Sequence, residues 1–161
     1  MDINVRGAVL EDINDINELF RHVDLLHHVA HPEIFNAPPQ PPRALKVMQE
    51  WISDPSIVLL VATDGDQILG VLHAMIANAP DLEIFQKRSF LYIQDMVVSR
   101  SHHRMGIGRM LLEHAAELAR SEDIFRIELN VFEFNQPAKS LYLKEGYNTI
   151  LYRMYKDLRA T

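Results

Sequence analysis

The stretch that decides the fold is VVSRSHHRMGIGRMLL, residues 97–112. An apolar run that suits a strand passes through a polar turn into Gly106-Ile107-Gly108 and then into an amphipathic helix. Glycine lets a backbone N–H approach a ligand closely, and the first turn of a helix carries unpaired donors and a partial positive charge. The pattern therefore predicts a site for a ligand that carries a diphosphate.

Two common nucleotide motifs fit this stretch poorly. A dinucleotide fingerprint has a tight strand-to-helix turn and a third glycine, whereas here residues 99–105 separate Val98 from Gly106 and Leu111 occupies the third position. A P-loop is supported even less, because no Gly-Lys-Ser/Thr follows. Glycines that serve only the turn itself explain this motif, taken alone, equally well.

The composition limits the class of protein. The chain has 161 residues, of which 48% are hydrophobic, and this suits one domain over residues 1–161 with a sizeable core. A formal net charge of −6 gives no general reason to bind nucleic acid or an anionic membrane, whereas an amine-bearing partner is compatible with it. The absence of cysteine excludes disulfides, thiolate metal ligands and a cysteine nucleophile.

The same features predict the location. The sequence has no run of about 18 apolar residues, and its start lacks the basic-then-apolar layout of a signal peptide. A chain without cysteine is easiest to reconcile with a reducing compartment. We therefore expect a soluble, cytoplasmic protein.

Hydrophobic periodicity predicts the element order β-α-α-β-β-β-α-β-α-β, and hence an α/β (α+β) fold with a mixed, mostly antiparallel sheet flanked by helices. Asp64-Gly65-Asp66 predicts a hairpin, and the strand–helix–strand passages around the glycine-led helix predict parallel pairing. A proline-rich loop follows the first helix. The predicted strands are residues 3–9, 57–63, 67–77, 90–98, 125–131 and 147–155, and the predicted helices are 11–29, 43–53, a helix from 107, and 135–145.

A second motif is NQPAKSLYLKEGY, residues 135–147. The spacing of Asn135 and Tyr142 places both on one face of the predicted helix, two turns apart. A purely structural explanation makes Asn135 the N-cap, puts Pro137 in the first turn and leaves Tyr142 as a half-buried aromatic. For this motif alone, the structural explanation is favoured.

Together the two motifs resemble those of the GNAT superfamily of N-acetyltransferases, which transfer an acetyl group from acetyl-CoA to an amine. The family's cofactor motif, Gln/Arg-x-x-Gly-x-Gly/Ala, is matched by residues 103–108, with His103 in place of the usual Gln or Arg. The later motif, Asn-x-x-Ala-x-x-x-Tyr-x-x-x-Gly-Tyr/Phe, is matched in full by residues 135–147. The resemblance covers most of the chain and implies a GNAT-like fold that uses acetyl-CoA and no metal.

The resemblance also implies how acetyl-CoA binds. The strand that ends at Val98 would diverge from the strand over 125–131, and backbone groups of Met96 and Val98 would pair with the pantetheine arm like an added strand. Backbone amides would hold the pyrophosphate and Arg104 would add charge, so binding should persist with His103. The predicted contacts are Met96, Val97, Val98, His103, Arg104, Met105, Gly106, Ile107, Gly108, Arg109 and Asn135.

Acetyl transfer to an amine needs a neutral nitrogen, a stabilised oxyanion and a proton for the departing thiolate. By resemblance, Tyr142 matches the family's general acid. The backbone N–H of Val97 or of Val98 is the candidate oxyanion donor.

A base is needed because an alkyl amine with a pKa of about 10 is mostly protonated at neutral pH. Asp95 is the first candidate, since it interrupts the apolar run LYIQDMVV, where an unpaired carboxylate is costly. A solvent-facing or salt-bridged aspartate is the structural alternative. Glu128 and Glu133 remain alternative bases.

The acceptor site is the least defined part. In the family, the segment between the first two helices often walls this site, so we place Phe35 there, with His73 and Glu133 as further candidates. A packed strand histidine is the structural alternative for His73. Histidines also cluster near the end of the first helix, but they lack the His-Glu-x-x-His pattern, and solvated histidines explain them more often than a metal does. They are His22, His27, His28 and His31.

The leading hypothesis is an N-acetyltransferase that acts on a primary amine of a small molecule or peptide by direct attack on the thioester. Family members are often homodimers, so the resemblance makes a homodimer the candidate assembly, while the sequence itself leaves the oligomeric state open. The alternative is a catalytically silent acetyl-CoA sensor, and the presence of Tyr142 favours catalysis over it. A metal-dependent hydrolase built on the histidines is the weakest hypothesis.

Overall fold

A computed structural model describes residues 2–158, which divide into two compact units between Asn130 and Val131. The first unit contains the strands β1 (Ile3–Gly7), β2 (Ile57–Asp64), β3 (Gln67–Asn78), β4 (Ser89–Val98) and β5 (Ile127–Leu129). It also contains the helices α1 (Ile13–Ala30), α2 (Leu45–Ser53) and α3 (Ile107–Ser121). The second unit contains α4 (Gln136–Lys144). No helix within residues 2–158 combines the length and apolarity that crossing a membrane requires.

The strands of the first unit form one sheet in the order β1-β2-β3-β4-β5. The first four strands pair antiparallel, and β4 pairs with β5 in parallel. Gly65, with a φ of 57°, provides the left-handed turn that joins β2 to β3. The predicted mixed, mostly antiparallel sheet with flanking helices is confirmed.

Helices cover both faces of this sheet. Buried side chains of α1 and α2 pack with those of β2 and β3 on one face, in a cluster that includes Phe20, Met48 and Val71. On the other face, Ile107 and Leu111 of α3 are fully buried. Odd-numbered residues of β3 from Val71 onward therefore face α1 and α2, while the even-numbered residues face α3.

Gly70 in β3 sets how closely α3 approaches the sheet. A Cβ at this position would lie 3.2 Å from Cγ2 of Ile107, 3.2 Å from the carbonyl oxygen of Val97 and 3.3 Å from Cδ1 of Leu111. Such distances leave no room for a side chain without movement of its neighbours. The missing side chain lets the first turn of α3 lie directly on β3 and β4.

A β-bulge in β4 changes which side chains face which helices. His73 pairs with Asp95 but Ala74 pairs with Ile93, so Gln94 is an extra residue in β4. Shifting a strand by one residue moves its side chains to the opposite face. Ile93 is consequently buried on the α3 face, whereas Asp95 lies on the face of α1 and α2.

In the second unit, α4 has well-defined ends. The Asn135 side chain accepts a hydrogen bond from the Ala138 N–H at 3.3 Å, and proline occupies the first turn. After the helix, Gly146 adopts a φ of 85° and the Tyr147 N–H donates to the Tyr142 carbonyl at 2.9 Å. The predicted N-cap and glycine terminator of this helix are confirmed.

The predicted strand over residues 147–155 is wrong. The described part of this segment has no regular structure, and its apolar side chains are exposed, among them Ile150, Leu151, Tyr152, Met154 and Tyr155. Its β-branched and aromatic content suits a strand, but a strand also needs a partner edge, which composition does not specify. The strand predicted over 125–131 is likewise shorter, because only residues 127–129 pair with β4.

Replacing Gly70 with alanine tests the close approach of α3. We expect Gly70→Ala to lower the free energy of unfolding by about 1–3 kcal/mol, because the new methyl group displaces packed side chains. Gly7→Ala is the matched control, since a Cβ there meets nothing within 4 Å. Urea unfolding measures both variants. Equal losses in the two variants would contradict the close contact.

Candidate active site

Within residues 2–158, no strand pairs with the edge of β4 opposite β3 beyond the bulge, and this edge is called the open edge. Pairing with β5 ends at Ile93 and Leu129, so the rest of β4 pairs with β3 alone. The Ser99 N–H donates to the Leu69 carbonyl at 2.8 Å. Because hydrogen-bonding direction alternates along a strand, Val97 also faces β3, while the backbone groups of Met96 and Val98 face the open side. Of the two predicted oxyanion donors, only the Val98 N–H is directed away from the sheet.

The glycine turn leads from this open edge to the start of α3. Gly106 is the N-cap, with a φ of 82°, and no side chain of the described residues caps the helix. The first hydrogen bond within the helix joins the Met110 N–H to the Gly106 carbonyl at 3.0 Å. The N–H groups of Ile107 and Gly108 therefore have no acceptor within the helix, and the helix dipole adds partial positive charge there.

Arg104 has a backbone conformation that suits glycine better. Its φ is 64°, in the left-handed region that an arginine adopts only at a cost of about 1 kcal/mol. Two residues later, Gly106 adopts the same region without that cost. The turn thus keeps an arginine next to the helix start in spite of local strain.

His103, the departure from the family motif, turns back toward β4. Its Nε2 lies 3.0 Å from the Val98 carbonyl oxygen. A carbonyl only accepts hydrogen bonds, so Nε2 is the donor. His103 thus engages the carbonyl of Val98, while the N–H of Val98 stays directed to the open edge.

Asp95 lies in a polar cluster beneath α1 and α2. Its Oδ2 is 3.3 Å from His73 Nδ1, and its Oδ1 is 4.0 Å from Nη2 of Arg43. The His73 ring stacks on Trp51 with 3.8 Å between centroids. His73 is buried, whereas the Asp95 side chain is 25% exposed. The cluster therefore presents one carboxylate to the surroundings and buries its imidazole partner.

The second ring nitrogen of His73 has no partner among residues 2–158. Nε2 is buried without a hydrogen bond. In a neutral ring, Nδ1 donates to the Asp95 carboxylate, which leaves Nε2 as an unpaired acceptor. The burial of His73 also fits the structural alternative of a packed strand histidine.

Glu128 and Glu133, the alternative candidates for the base, each pair with cationic side chains. Glu128 lies 2.6 Å from Arg126 Nε and 2.9 Å from Arg88 Nη1. Its burial favours the neutral acid, but these two guanidinium groups outweigh that effect and lower the pKa of Glu128. In the second unit, Glu133 accepts from Lys139 Nζ at 2.8 Å, and this hydrogen bond lowers the pKa of Glu133.

Tyr142 lies in the second unit beside a second tyrosine. Its ring centroid is 5.6 Å from that of Tyr147. Burial, with a smaller contribution from Tyr147, raises the pKa of Tyr142 to about 12. The phenol therefore keeps its proton throughout the neutral range.

Phe35 and the histidines at the end of α1 form local contacts. The Phe35 carbonyl accepts from His28 Nδ1 at 2.8 Å, and the Phe35 ring lies 5.1 Å from the ring of His27. His31 Nδ1 lies 2.8 Å from Glu33 Oε1. Among residues 2–158, no three His, Asp or Glu side chains are grouped so that they could hold a metal ion.

Sequence reasoning missed three members of the Asp95 cluster. Arg43 was predicted only as the start of the second helix, and Asp24 and Trp51 received no role. Asp24 and Arg43 are 19 residues apart in the chain, and Trp51 meets His73 only when α2 packs on the sheet. A polar residue directly after the prolines was the one available signal for Arg43.

Comparison with known proteins identifies the family. The sequence profile of the Acetyltransferase (GNAT) family matches residues 22–147. The chain belongs to this GNAT family. The profile covers both motifs that carried the resemblance, the glycine turn and the Asn135–Tyr147 segment.

Individual relatives agree with this assignment. A 57-residue stretch is 39% identical to streptothricin acetyltransferase from Streptomyces lavendulae, covering 35% of this chain and 30% of that protein. A 53-residue stretch is 38% identical to thialysine N-epsilon-acetyltransferase from Caenorhabditis elegans, covering 33% of each chain. The matches thus span about a third of these curated relatives. Among solved structures, a mutant of the BH1408 protein from Bacillus halodurans has a TM-score of 0.91 at 25% identity, covering 96% of this GNAT chain and 99% of that one.

Replacing Arg104 with glycine tests the strain in the turn. We expect Arg104→Gly to raise the free energy of unfolding by about 0.5–1 kcal/mol, because glycine adopts the left-handed region freely. Arg104→Ala removes the same side chain but keeps the strain, so it should give no gain. Thermal unfolding of both variants measures the difference. A gain in the alanine variant as large as in the glycine variant would contradict the argument.

The raised pKa of Tyr142 predicts a loss of stability in alkali. An unfolded tyrosine ionises at about pH 10 and the folded Tyr142 at about 12, so the stabilisation is complete below pH 10 and is lost as the pH rises through 12. When the pH is raised from about 9 to 11, the free energy of unfolding of Tyr142→Phe should fall by roughly 1 kcal/mol less than that of the unmodified protein. The exposed Tyr155→Phe is the control and should behave like the unmodified protein. Urea unfolding at both pH values measures the change.

Proposed function

We propose that this GNAT protein transfers the acetyl group of acetyl-CoA to a primary amine of a small molecule or peptide, by direct attack of the nitrogen on the thioester. One observation carries the proposal: the open backbone edge of β4 continues through the glycine turn into the uncapped start of α3. This arrangement offers strand-like pairing to an amide-containing arm and N–H donors to phosphates. The name of the Caenorhabditis elegans relative, a thialysine N-epsilon-acetyltransferase, supports an amine acceptor.

The residues of this path suit acetyl-CoA. In the proposal, the N–H groups of Ile107 and Gly108 bind the pyrophosphate and Arg104 adds a positive charge. Backbone groups of Met96 and the Val98 carbonyl, which has a second lone pair besides the one that accepts from His103, pair with the pantetheine amides. The Val98 N–H is also the proposed donor to the oxyanion, since it points away from β3.

Asp95 is the proposed base. The pKa values of Glu128 and Glu133 lie below the ordinary value of a glutamate, and both carboxylates accept short hydrogen bonds from cationic side chains. Asp95 has only a 3.3 Å contact with His73 and a 4.0 Å ion pair with Arg43. Its carboxylate therefore keeps more lone-pair capacity to accept a proton from an ammonium group, directly or through water.

Tyr142 is the proposed general acid. With a pKa of about 12 it is fully protonated at neutral pH, as a proton donor must be. An ordinary thiol has a pKa of about 8.5, so complete transfer from such a phenol to the thiolate is uphill. The phenol would therefore act mainly as a hydrogen-bond donor that stabilises charge on the departing sulfur.

The proposal is tested with acetyl-CoA and a panel of primary amines, with released thiol as the readout. We expect release with at least one amine, and a fall of about 100-fold in kcat for Tyr142→Phe because the donor to the sulfur is lost. Tyr155→Phe is the matched control and should retain its rate within about twofold. Calorimetry should give similar acetyl-CoA affinity for all three proteins.

Two results would overturn the proposal. Tight acetyl-CoA binding without thiol release from any amine would favour a sensor. Absence of acetyl-CoA binding would show that the glycine turn does not bind the pyrophosphate of this cofactor.

A further inference from the structure

Arg43 is fixed in place by α1 through both its backbone and its side chain. The buried Asn17 donates to the Arg43 carbonyl at 3.1 Å and accepts from the Arg43 N–H at 2.9 Å. Asp24 accepts two hydrogen bonds from the guanidinium, at 2.6 and 3.1 Å. The guanidinium also lies 4.8 Å above the ring of Phe20. Three residues of one helix therefore hold Arg43, and two of them, Asp24 and Phe20, leave its side chain little freedom.

The same guanidinium faces a second carboxylate. Nη2 of Arg43 lies 4.0 Å from Oδ1 of Asp95, an ion pair that is too long for a hydrogen bond. Burial disfavours the charged guanidinium, but the hydrogen bonds with Asp24 and the charges of Asp24 and Asp95 outweigh this effect and raise the pKa of Arg43. Two carboxylates thus share one cation, and with a neutral His73 the cluster carries one excess negative charge.

Asp24 and Asp95 interact with the Arg43 guanidinium at different distances and in different geometries. Asp24 makes the close, bidentate pair, which occupies its lone pairs. Asp95 feels the charge of Arg43 at one oxygen and contacts His73 at the other, yet makes no bidentate pair. A guanidinium bound directly to Asp95 would cover the oxygens that a base needs. The pairing with Asp24 keeps it at a distance.

We propose that Arg43 is a positioning residue that orients Asp95 for proton removal from the amine, and that Asp24 holds Arg43 where it steers this carboxylate without covering it. The inference rests on the proposed function of Asp95 as the base. It assigns a role to Arg43, at the end of the proline-rich loop, and to Asp24 of α1. In the proposal, neither residue touches the reacting atoms.

Steady-state kinetics with an amine that the unmodified protein acetylates test the inference. Arg43→Gln should lower kcat about tenfold, because Asp95 loses its orienting charge, and leave KM for acetyl-CoA within about twofold. Arg43→Lys should recover part of the loss. In the Asp95→Asn background, the further change Arg43→Gln should lower kcat by less than about twofold, since the two residues act as one unit. Multiplicative losses in that double variant would overturn the inference.

Asp24→Asn tests the role of the helix residue. The neutral amide no longer holds the guanidinium, which can then pair directly with Asp95, so kcat should fall about tenfold. In the Arg43→Gln background, the same change should have no further effect. Glu18→Gln is the matched control, because Glu18 also lies on α1 and pairs with an arginine, Arg21. An equal fall in the control would overturn the inference.

Crystal structures give a readout that does not depend on activity. In Arg43→Gln, the Asp95 carboxylate should leave its contact with His73, whereas in Glu18→Gln it should stay. An unmoved Asp95 in Arg43→Gln would overturn the inference even if the enzyme is active. Absence of thiol release from the unmodified protein with every amine would instead overturn the proposed function, and the structures would still decide whether Arg43 orients Asp95.

Discussion

The single extra residue in β4 determines which face of the sheet carries Asp95, the proposed base. Gln94 has no counterpart in β3, so the side chains before and after it face opposite sides of the sheet. Without this bulge, Asp95 would point toward the apolar face of α3, where an unpaired carboxylate is costly. Pairing with β5 stops at Ile93, one residue before the bulge. The bulge at Gln94 therefore lies at the point where Asp95 changes face and where β4 loses its pairing with β5.

The start of α3 depends on a second local feature, the missing side chain of Gly70. Because α3 lies directly on β3, its first turn is held next to the end of β4. The uncapped N–H groups and the open edge of β4 thus lie at the two ends of one short turn. Their role in the proposed reaction is to recognise amides and phosphates, which present the same chemistry whatever the acetyl acceptor. In the proposed reaction, recognition by the backbone would also allow His103 at the position where the family usually has Gln or Arg.

Local signals were enough to predict most of the fold. Periodicity and turn residues gave the four helices, the hairpin at Gly65 and the glycine-led start of α3, since these depend on neighbours in the chain. The bulge at Gln94 and the cluster around Arg43 depend on residues far apart in sequence, and no local pattern encodes them. The predicted strand over 147–155 failed for the same reason, because strand composition does not provide a pairing partner. For the candidate site, the interruption of an apolar run singles out Asp95, whose role stays a prediction, whereas no local pattern points to its neighbours.

The backbone clamp between Asn17 and Arg43 has a consequence for how this protein can diversify. The proline-rich stretch before Arg43 is tied down at its far end, so substitutions inside the stretch need not disturb the guanidinium. The stretch can therefore change in sequence and shape while Arg43 keeps its position beside Asp95, the proposed base. If the stretch borders the acceptor, as the family resemblance implies, substrate range could evolve without loss of the proposed catalytic group.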